Sequence, residues 1–221
     1  MPTERPRRSL AADGLFILGL VGRAGSGKST VARALAAGGA VVIEADRIGH
    51  EVAEHDPGVR RALQAEYGED VYRTDGSLDR RRVAARVFTD RAARTRLDQL
   101  VHPMIVERIE GELGRLRDAG HRGVVVVDAA LMLDWGLERS CDAVLAVTAP
   151  EEQQIARMMR ARGWTRDEAR ARLEAQPSND AFRAAADVTL ENQGSVEELE
   201  LAARAAVARW LAQRGAAARP S

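Results

Sequence analysis

The sequence predicts an α/β fold in which a parallel sheet has helices on both faces. Short apolar runs alternate along the chain with segments of helical pattern, an order typical of parallel sheets. The first run, Leu15 to Val21, is apolar throughout and lies between Gly14 and Gly22, as expected for a strand buried on both sides. A glycine-rich stretch and a run of strong helix formers follow this strand directly.

The remaining elements are assigned from their patterns in chain order. Ser29 to Ala37 predicts a helix that ends at the following glycine pair. Two Ser/Thr-x-x-Glu capping boxes predict helix starts at Thr165 and Ser195, and the last helix is expected to end near Arg214. Further strands are expected at Ala40–Ile43, Val124–Val127, Ala143–Val147 and, at the sheet edge, Asp187–Glu191.

A long segment without a clear strand separates the second and third predicted strands. It holds about eighty residues, more than a simple crossover helix requires. We therefore expect a core formed by residues 14–56 and 121–214, with a helical acceptor-binding insertion at 57–120. Residues 1–13 and 215–221 are expected to be loose tails. Helices of the insertion are predicted at Pro57–Tyr67, at Asp79–Thr89 and at Ala92–Leu116, the last broken at Pro103.

Composition excludes several classes of protein. The 33 acidic and 33 basic residues balance, so no global field attracts nucleic acid or an anionic membrane. A single cysteine, Cys141, excludes an internal disulfide framework and fits a reducing compartment. Residues 1–13 lack the apolar region of a signal peptide, and every apolar run is shorter than the roughly 20 residues that span a bilayer. We expect a cytoplasmic protein without a nucleic-acid or membrane partner.

Lys28 is the only lysine among the 33 basic residues of the chain. All the remaining basic residues are arginines, so the one lysine marks a place where a compact ammonium is needed and a planar guanidinium fails. The alternative is that the single lysine stands at this position by chance. Its position in the motif described next favours function.

The segment Gly22 to Ser29 matches the pattern G-x-x-x-x-G-K-[ST] without a gap. Glycines let consecutive backbone N–H groups approach phosphate oxygens, and the helix that follows adds the positive end of its dipole. Lys28 is expected to reach the β- and γ-phosphates of ATP, and the Ser29 hydroxyl to bind Mg²⁺. The loop predicts a P-loop NTPase-type core. The loop residues assigned to ATP are Gly22, Ala24, Gly25, Ser26, Gly27, Lys28, Ser29 and Thr30.

Other motifs of P-loop proteins are missing from the sequence. A guanine-specific Asn-Lys-x-Asp element cannot be present, because the only lysine is Lys28. The chain also has no Leu-Ser-Gly-Gly signature of transporter ATPases and is short for a mechanical ATPase. A small-molecule kinase remains.

A kinase that phosphorylates an alcohol needs a carboxylate near the attacking hydroxyl. Glu44 and Asp46 follow the second predicted strand, at the sheet edge where open α/β folds place ligands. Strand alternation would put both side chains on one side, one acting on the acceptor and the other supporting it. The alternative is that Asp46 only caps the next helix.

A series of motifs from Leu15 to about Leu199 resembles, in the same order, the motifs of the dephospho-coenzyme A kinase family. Each short motif is weak alone, but their shared order across the chain is specific. The matching segments are the P-loop, Glu44-Ala45-Asp46, Tyr67-Gly68, Gly76-Ser77-Leu78-Asp79-Arg80 with Val87-Phe88, Leu100-Val101-His102-Pro103, Val126-Val127-Asp128 with Leu131, Arg157, Ala175-Gln176, Ala186-Asp187 and Glu191-Asn192.

The resemblance implies a reaction and a three-part fold. ATP would phosphorylate the ribose 3′-hydroxyl of dephospho-coenzyme A, with Mg²⁺ required, in the last step of coenzyme A synthesis. The fold would consist of the P-loop core, a helical substrate-binding insertion and a helical lid at about 150–180.

The resemblance also implies roles for single residues. Asp46 would be the base or orienting carboxylate, and Arg80 and His102 would line the acceptor pocket. Arg157 would act in catalysis from the lid. The implied ATP contacts outside the loop are Arg160 and Asn192, and Asp128 resembles a Walker-B-type aspartate that holds Mg²⁺ through water.

Each of these roles has a structural alternative. His102 before Pro103 would be a histidine with its hydrogen bonds satisfied at a helix break, and Arg80 a solvated residue at a helix start. The lid arginines would form a charged helix face. Asp128 would be a structural aspartate.

The chain departs from the family pattern at three places. Arg23 stands where the family usually has a second glycine, and we expect this long cation at the loop mouth, where it would alter phosphate contacts. Asp134 stands where the family has a glutamate. Ala161 stands where the family has a lid arginine, four residues after Arg157. These departures keep two alternatives open: a kinase for another small alcohol or nucleoside, and a non-catalytic nucleotide- or coenzyme-binding relative.

Overall fold

The structure is a computed structural model that describes residues 14–89 and 91–217. The predicted N-terminal tail, 1–13, and the last four residues of the predicted C-terminal tail lie outside the described residues. The chain divides into two compact units. Unit 1 holds the described residues up to Ile43 and from Gly120 onward, and unit 2 runs from Glu44 to Ala119.

Unit 1 is built on a five-stranded sheet, which confirms the predicted α/β fold. The strand order is β2-β3-β1-β4-β5, and β1 pairs in parallel with both β3 and β4. Each predicted strand is present, with bounds shifted by no more than one residue at either end. The strands are β1 (Leu15–Val21), β2 (Val41–Glu44), β3 (Gly123–Asp128), β4 (Ala143–Thr148) and β5 (Val188–Glu191).

Helices cover the sheet and form most of the remaining structure. One core cluster joins alternate residues of β1, such as Leu18 and Leu20, to Val31 on α1 and Ala203 on α10. On the opposite face, Gly19 packs closely against Met132, since a Cβ there would lie 2.7 Å from the Met132 sulfur. The helices are α1 (Lys28–Ala37), α2 (Ala45–His55), α3 (Pro57–Tyr67), α4 (Arg80–Thr89), α5 (Arg91–Asp118), α6 (Met132–Trp135), α7 (Glu151–Arg162), α8 (Arg166–Glu174), α9 (Asn179–Ala185) and α10 (Val196–Ala217).

Helix starts follow the predicted capping chemistry. Thr165 and Glu168 form a complete capping box at the start of α8. Ser195 and Glu198 exchange the same two hydrogen bonds before α10, at 2.8 and 3.2 Å. Helix α10 continues to Ala217, so residues 215–217, predicted to belong to a frayed tail, are helical.

Unit 2 is the helical insertion, and it begins earlier than the predicted residue 57. Helix α2, predicted to be part of the core, packs against α5 and therefore belongs to this unit. Gly49 lets the two helices approach closely, since a Cβ there would lie 3.0 Å from Ile105 Cδ1. Asp56 caps α3 by accepting from the N–H groups of Gly58 and Val59 at 2.8 and 3.0 Å.

The predicted break at Pro103 is wrong. Helix α5 runs through this proline from Arg91 to Asp118. A proline inside a helix costs one backbone hydrogen bond, about 3 kcal/mol, and contacts of α5 with α2, α3 and α4 offset that cost. Among the described residues, no helix is long and apolar enough to cross a membrane.

Candidate active site

The glycine-rich loop of unit 1 has the backbone that the sequence predicts. It leaves β1 at Val21 and enters α1 at Lys28. Gly25 and Gly27 have φ angles of +74° and +104°, in the left-handed region that favours glycine. A Cβ at Gly25 would also lie 2.6 Å from the Gln154 carbonyl oxygen, so neighbouring backbone leaves no room for a side chain.

The carbonyl oxygens of this loop are held by side chains from other parts of unit 1. Gln154 Nε2 donates to the Ala24 oxygen at 3.2 Å, and Asn192 Nδ2 donates to the Ser26 oxygen at 2.8 Å. Both side chains are buried, at 0% and 8% exposure. Buried amide donors of this kind fix the direction of each peptide unit in the loop.

Four N–H groups of the loop remain available to a ligand. Within residues 14–89 and 91–217, the backbone N–H groups of Gly25, Gly27, Lys28 and Ser29 donate to no protein acceptor. The last two belong to the first turn of α1, where the helix dipole is positive and no acidic side chain is present. Such an array binds anions, and phosphate in particular.

Lys28 and Asp128 form an ion pair beside this loop. Asp128 ends β3 and is paired in register with Leu20 of β1. The lysine and aspartate side chains are 16% and 13% exposed, so each charge is largely removed from water and stabilised by the other.

Two oxygen donors near the loop have the chemistry that Mg²⁺ prefers. Ser29 presents an exposed hydroxyl in the first turn of α1, and Asp128 supplies a carboxylate. The described residues contain no cluster of three His, Cys, Asp or Glu side chains that would hold a metal alone. Ser29 and Asp128 fit a Mg²⁺ ion that takes its other ligands from phosphate and water.

Arg157 contacts the loop backbone. From α7 its Nη1 donates to the oxygens of Gly25 and Ser26 at 3.2 and 3.4 Å, and its Nη2 donates to the Asn192 oxygen at 3.2 Å. Burial lowers the pKa of this guanidinium, and the neighbouring Arg160 lowers it further. The two arginines thus lie close together, as their spacing of three residues predicts, with Arg160 exposed.

Arg23 does not lie at the loop mouth as expected. Its side chain is 9% exposed and donates from Nη2 to the Leu173 oxygen at 2.6 Å. Its Nη1 bonds Glu151 Oε2 at 3.2 Å. The Leu173 carbonyl lies at the negative C-terminal end of α8, and Glu151 on α7 carries a negative charge. Both attract the Arg23 cation toward these helices.

Asp46 lies in a helix, and the expected strand alternation with Glu44 is wrong. Strand β2 ends at Glu44, which is the N-cap residue of α2, and Asp46 is in the first turn of that helix. Asp46 is also not the cap, and Glu44 makes no capping hydrogen bond with its side chain. The Asp46 carboxylate still benefits from the positive end of the α2 dipole.

Unit 2 places Arg80 beside the α2 face that carries Asp46. Residues 46, 50 and 54 are four apart and share this face. Arg80 Nη2 lies 3.8 Å from Glu54 Oε2. Burial lowers the pKa of His50, and the charge of Arg80 lowers it further. The charges of Asp46 and Glu54 act on the same pKa in the opposite direction.

His102 lies on α5, the helix that packs against α2. It is half-buried and precedes Ile105 by three residues, so it shares the face that contacts Gly49. Unit 2 therefore brings together α2 with Asp46, the start of α4 with Arg80, and α5 with His102. Unit 1 brings together the loop, Asp128, Arg157 and Asn192.

Two glutamines of the loop surroundings were not predicted as site residues. Gln154 is described above, and Gln176 Oε1 accepts from the Ala24 N–H at 2.9 Å. The helical spacing from Arg157 would have identified Gln154, which lies three residues earlier on the same face. Gln176 belongs to the motif Ala175-Gln176, and no sequence pattern indicates its contact with Ala24, 152 residues away.

Comparison with known proteins identifies relatives along most of the chain. The model of the family described as dephospho-CoA kinase matches residues 16–198. A dephospho-CoA kinase of Thermobifida fusca is 39% identical over 183 residues, which are 83% of this chain and 90% of that protein.

Two solved structures are similar as well. A crystal structure of a Thermus thermophilus protein superposes with a TM-score of 0.75 at 34% identity, covering 88% of this chain and 97% of that one. Dephospho-CoA kinase from Campylobacter jejuni, with a TM-score of 0.59 and 19% identity over 88% of this chain and 97% of its own, shares the fold.

Proposed function

The chain belongs to the dephospho-CoA kinase family, and we propose that it transfers the γ-phosphate of ATP to the ribose 3′-hydroxyl of dephospho-coenzyme A. The products are coenzyme A and ADP. The observation that carries this proposal is the loop Gly22 to Ser29, where protein side chains bond the carbonyls of Ala24 and Ser26. The N–H groups of Gly25, Gly27, Lys28 and Ser29 stay available for phosphate. The loop lies within the segment that matches the family, residues 16–198.

The ATP phosphates bind to the loop in this mechanism. The N–H groups of Gly25, Gly27, Lys28 and Ser29 donate to phosphate oxygens, as do the hydroxyls of the loop serines and Thr30. The Lys28 ammonium exchanges part of its contact with Asp128 for the β- and γ-phosphates. It then neutralises negative charge on the group being transferred.

Ser29 and Asp128 are the residues that would hold Mg²⁺. When bound, the ion supplies positive charge that neutralises the β- and γ-phosphate oxygens. Asp128 also positions Lys28 through their ion pair, so one carboxylate serves both cations.

Asp46 acts on the acceptor. Its carboxylate accepts a hydrogen bond from the ribose 3′-hydroxyl, orients that oxygen for attack and takes its proton as the new P–O bond forms. Arg80 and His102, on helices of the same unit, bind the acceptor. Arg80 supplies a fixed positive charge, and His102 supplies a hydrogen-bonding ring.

Arg157 and Asn192 support the bound ATP by holding the loop carbonyls, and the exposed Arg160 contacts phosphate directly. We place the reaction in the cytoplasm. The single cysteine of the sequence, Cys141, fits a reducing compartment.

An acceptor panel tests the function. Purified protein with Mg²⁺ and ATP is assayed for ADP release with dephospho-coenzyme A, adenosine and other nucleosides. We expect kcat/KM to be highest for dephospho-coenzyme A. Higher activity with a nucleoside would establish the alternative kinase, whereas ATP binding without turnover on any acceptor would establish the non-catalytic relative.

A further inference from the structure

Arg23 joins the P-loop to both ends of a helical hairpin formed by α7 and α8, residues 151–174. Glu151 is the first residue of α7, and Leu173 lies in the last turn of α8. The Arg23 guanidinium bonds both, at 3.2 and 2.6 Å. We propose that Arg23 is a positioning residue that fixes the α7–α8 hairpin on the P-loop and thereby presets the loop for ATP.

The chemistry of the three groups explains why an arginine serves here. Leu173 offers a carbonyl at the negative end of a helix, and Glu151 offers a carboxylate. A guanidinium is always charged and has several donors in a fixed plane, so it can satisfy both partners at once. Arg23 is 9% exposed, so loss of the buried Leu173 contact would leave a largely buried cation without that partner. Glu151 is 51% exposed, so water screens its share of the interaction.

An apolar contact beside Arg23 holds the same hairpin. Ile155 and Met158 of α7 pack with Ala169 and Leu173 of α8 in a small core, and Ala24 of the P-loop packs against it. Two adjacent loop residues thus bind the hairpin, one through charge and one through apolar contact. The hairpin and the loop form a continuous packed structure within unit 1.

The position of α7 in turn controls the loop carbonyls. Arg157 and Gln154 lie on this helix, and they bond the oxygens of Gly25, Ser26 and Ala24. If Arg23 releases the hairpin, these donors move away and the loop peptides lose their fixed direction. ATP affinity is then expected to fall, because a site that is only partly in its binding conformation binds more weakly.

The inference rests on the proposed function only in requiring that the loop binds ATP. We therefore measure the Kd of ATP without any acceptor by calorimetry, and hydrogen exchange in α7 and α8 by mass spectrometry. Arg23→Ala is expected to raise the Kd about tenfold or more, since hydrogen bonds to charged groups are involved, and to speed exchange in both helices. Arg23→Lys retains the charge but not the planar pair of donors, so its Kd of ATP is expected to lie between those of wild type and Arg23→Ala.

A matched control is available within the same hairpin. Arg166 and Glu152 form an ion pair between α8 and α7, with side chains 50% and 65% exposed. Within residues 14–89 and 91–217, neither side chain bonds the loop. Arg166→Ala is expected to leave the Kd of ATP unchanged. With dephospho-coenzyme A as acceptor, Arg23→Ala is expected to change the KM of ATP more than kcat, because the contact acts mainly on ATP binding.

Three results overturn the inference. These are an unchanged Kd with unchanged exchange in Arg23→Ala, a loss of kcat with the Kd intact, and an equal loss of affinity in Arg166→Ala. If Arg23→Ala does not fold, Glu151→Gln replaces it, since that variant keeps the Leu173 contact. A smaller rise in Kd is then expected, and no rise refutes the inference. Failure of the wild type to phosphorylate dephospho-coenzyme A contradicts only the proposed function.

Discussion

Replacing Arg157 with alanine tests whether this residue supports the loop or arrives as a lid. The side chain donates to the oxygens of Gly25, Ser26 and Asn192 at 3.2, 3.4 and 3.2 Å. A hydrogen bond from a charged donor contributes about 1.5–3 kcal/mol. Because these bonds are long and share two nitrogens, we count them together as one bond in the upper part of that range, so the variant should lose about 2–3 kcal/mol of stability.

The loss of stability translates into measurable changes. A protein of this size loses about 2–4 °C in Tm per kcal/mol, so Tm should fall by about 4–12 °C. The Kd of ATP without acceptor should rise about tenfold, because the loop loses part of its support. Calorimetry measures both quantities on one preparation. Arg160 is exposed and lies one turn later on α7. Arg160→Ala is the control for stability and should keep Tm near wild type.

The lid interpretation makes the opposite prediction for Arg157→Ala. An arginine that contacts phosphate only after closure would leave Tm and the Kd of ATP intact and lower kcat alone. That result would refute the structural reasoning. A fall in Tm with a parallel loss of ATP affinity would establish Arg157 as part of the loop scaffold.

Three further substitutions probe the loop and the acceptor side. Lys28→Arg should lose most phosphoryl transfer, because a guanidinium is too wide to act as a point charge; kcat above half of the wild-type value would contradict this. Asp46→Asn should lower kcat by about 10² or more with KM nearly intact, and unchanged turnover in a folded variant would remove Asp46 from the mechanism. Gly27→Ala should weaken ATP binding and lower Tm, because its Cβ would meet Asn192 Nδ2 at a φ of +104°; calorimetry measures both, and unchanged values would contradict the packing seen here.

The fold was predictable wherever a local pattern determines it. Strand β1 has its predicted bounds because a glycine lies on either side of it. Helix α3 has its predicted bounds because an aspartate and a proline mark its start. The P-loop was predictable for the same reason, since its backbone depends on glycines at fixed spacing. Residues adjacent in sequence carry all of this information.

Predictions were wrong where packing outweighed a local rule. Pro103 was expected to break α5, but the contacts of that helix within unit 2 hold it continuous. Glu44 and Asp46 were expected to point to one side by strand alternation after β2, whereas β2 ends at Glu44 and the helix begins at once. The direction of Arg23 depends on partners 128 and 150 residues away, and no sequence pattern reports such a contact.

Identification of the phosphorylated product tests the central claim most directly. The protein is incubated with Mg²⁺, ATP carrying a labelled γ-phosphate and dephospho-coenzyme A, and the product is analysed by chromatography and phosphorus NMR. A matched acceptor that lacks the ribose 3′-hydroxyl is the control. We predict labelled coenzyme A with the phosphate on the 3′-oxygen and no product from the control. Label on another position, label on the control acceptor, or no transfer by folded protein that binds ATP would contradict the account.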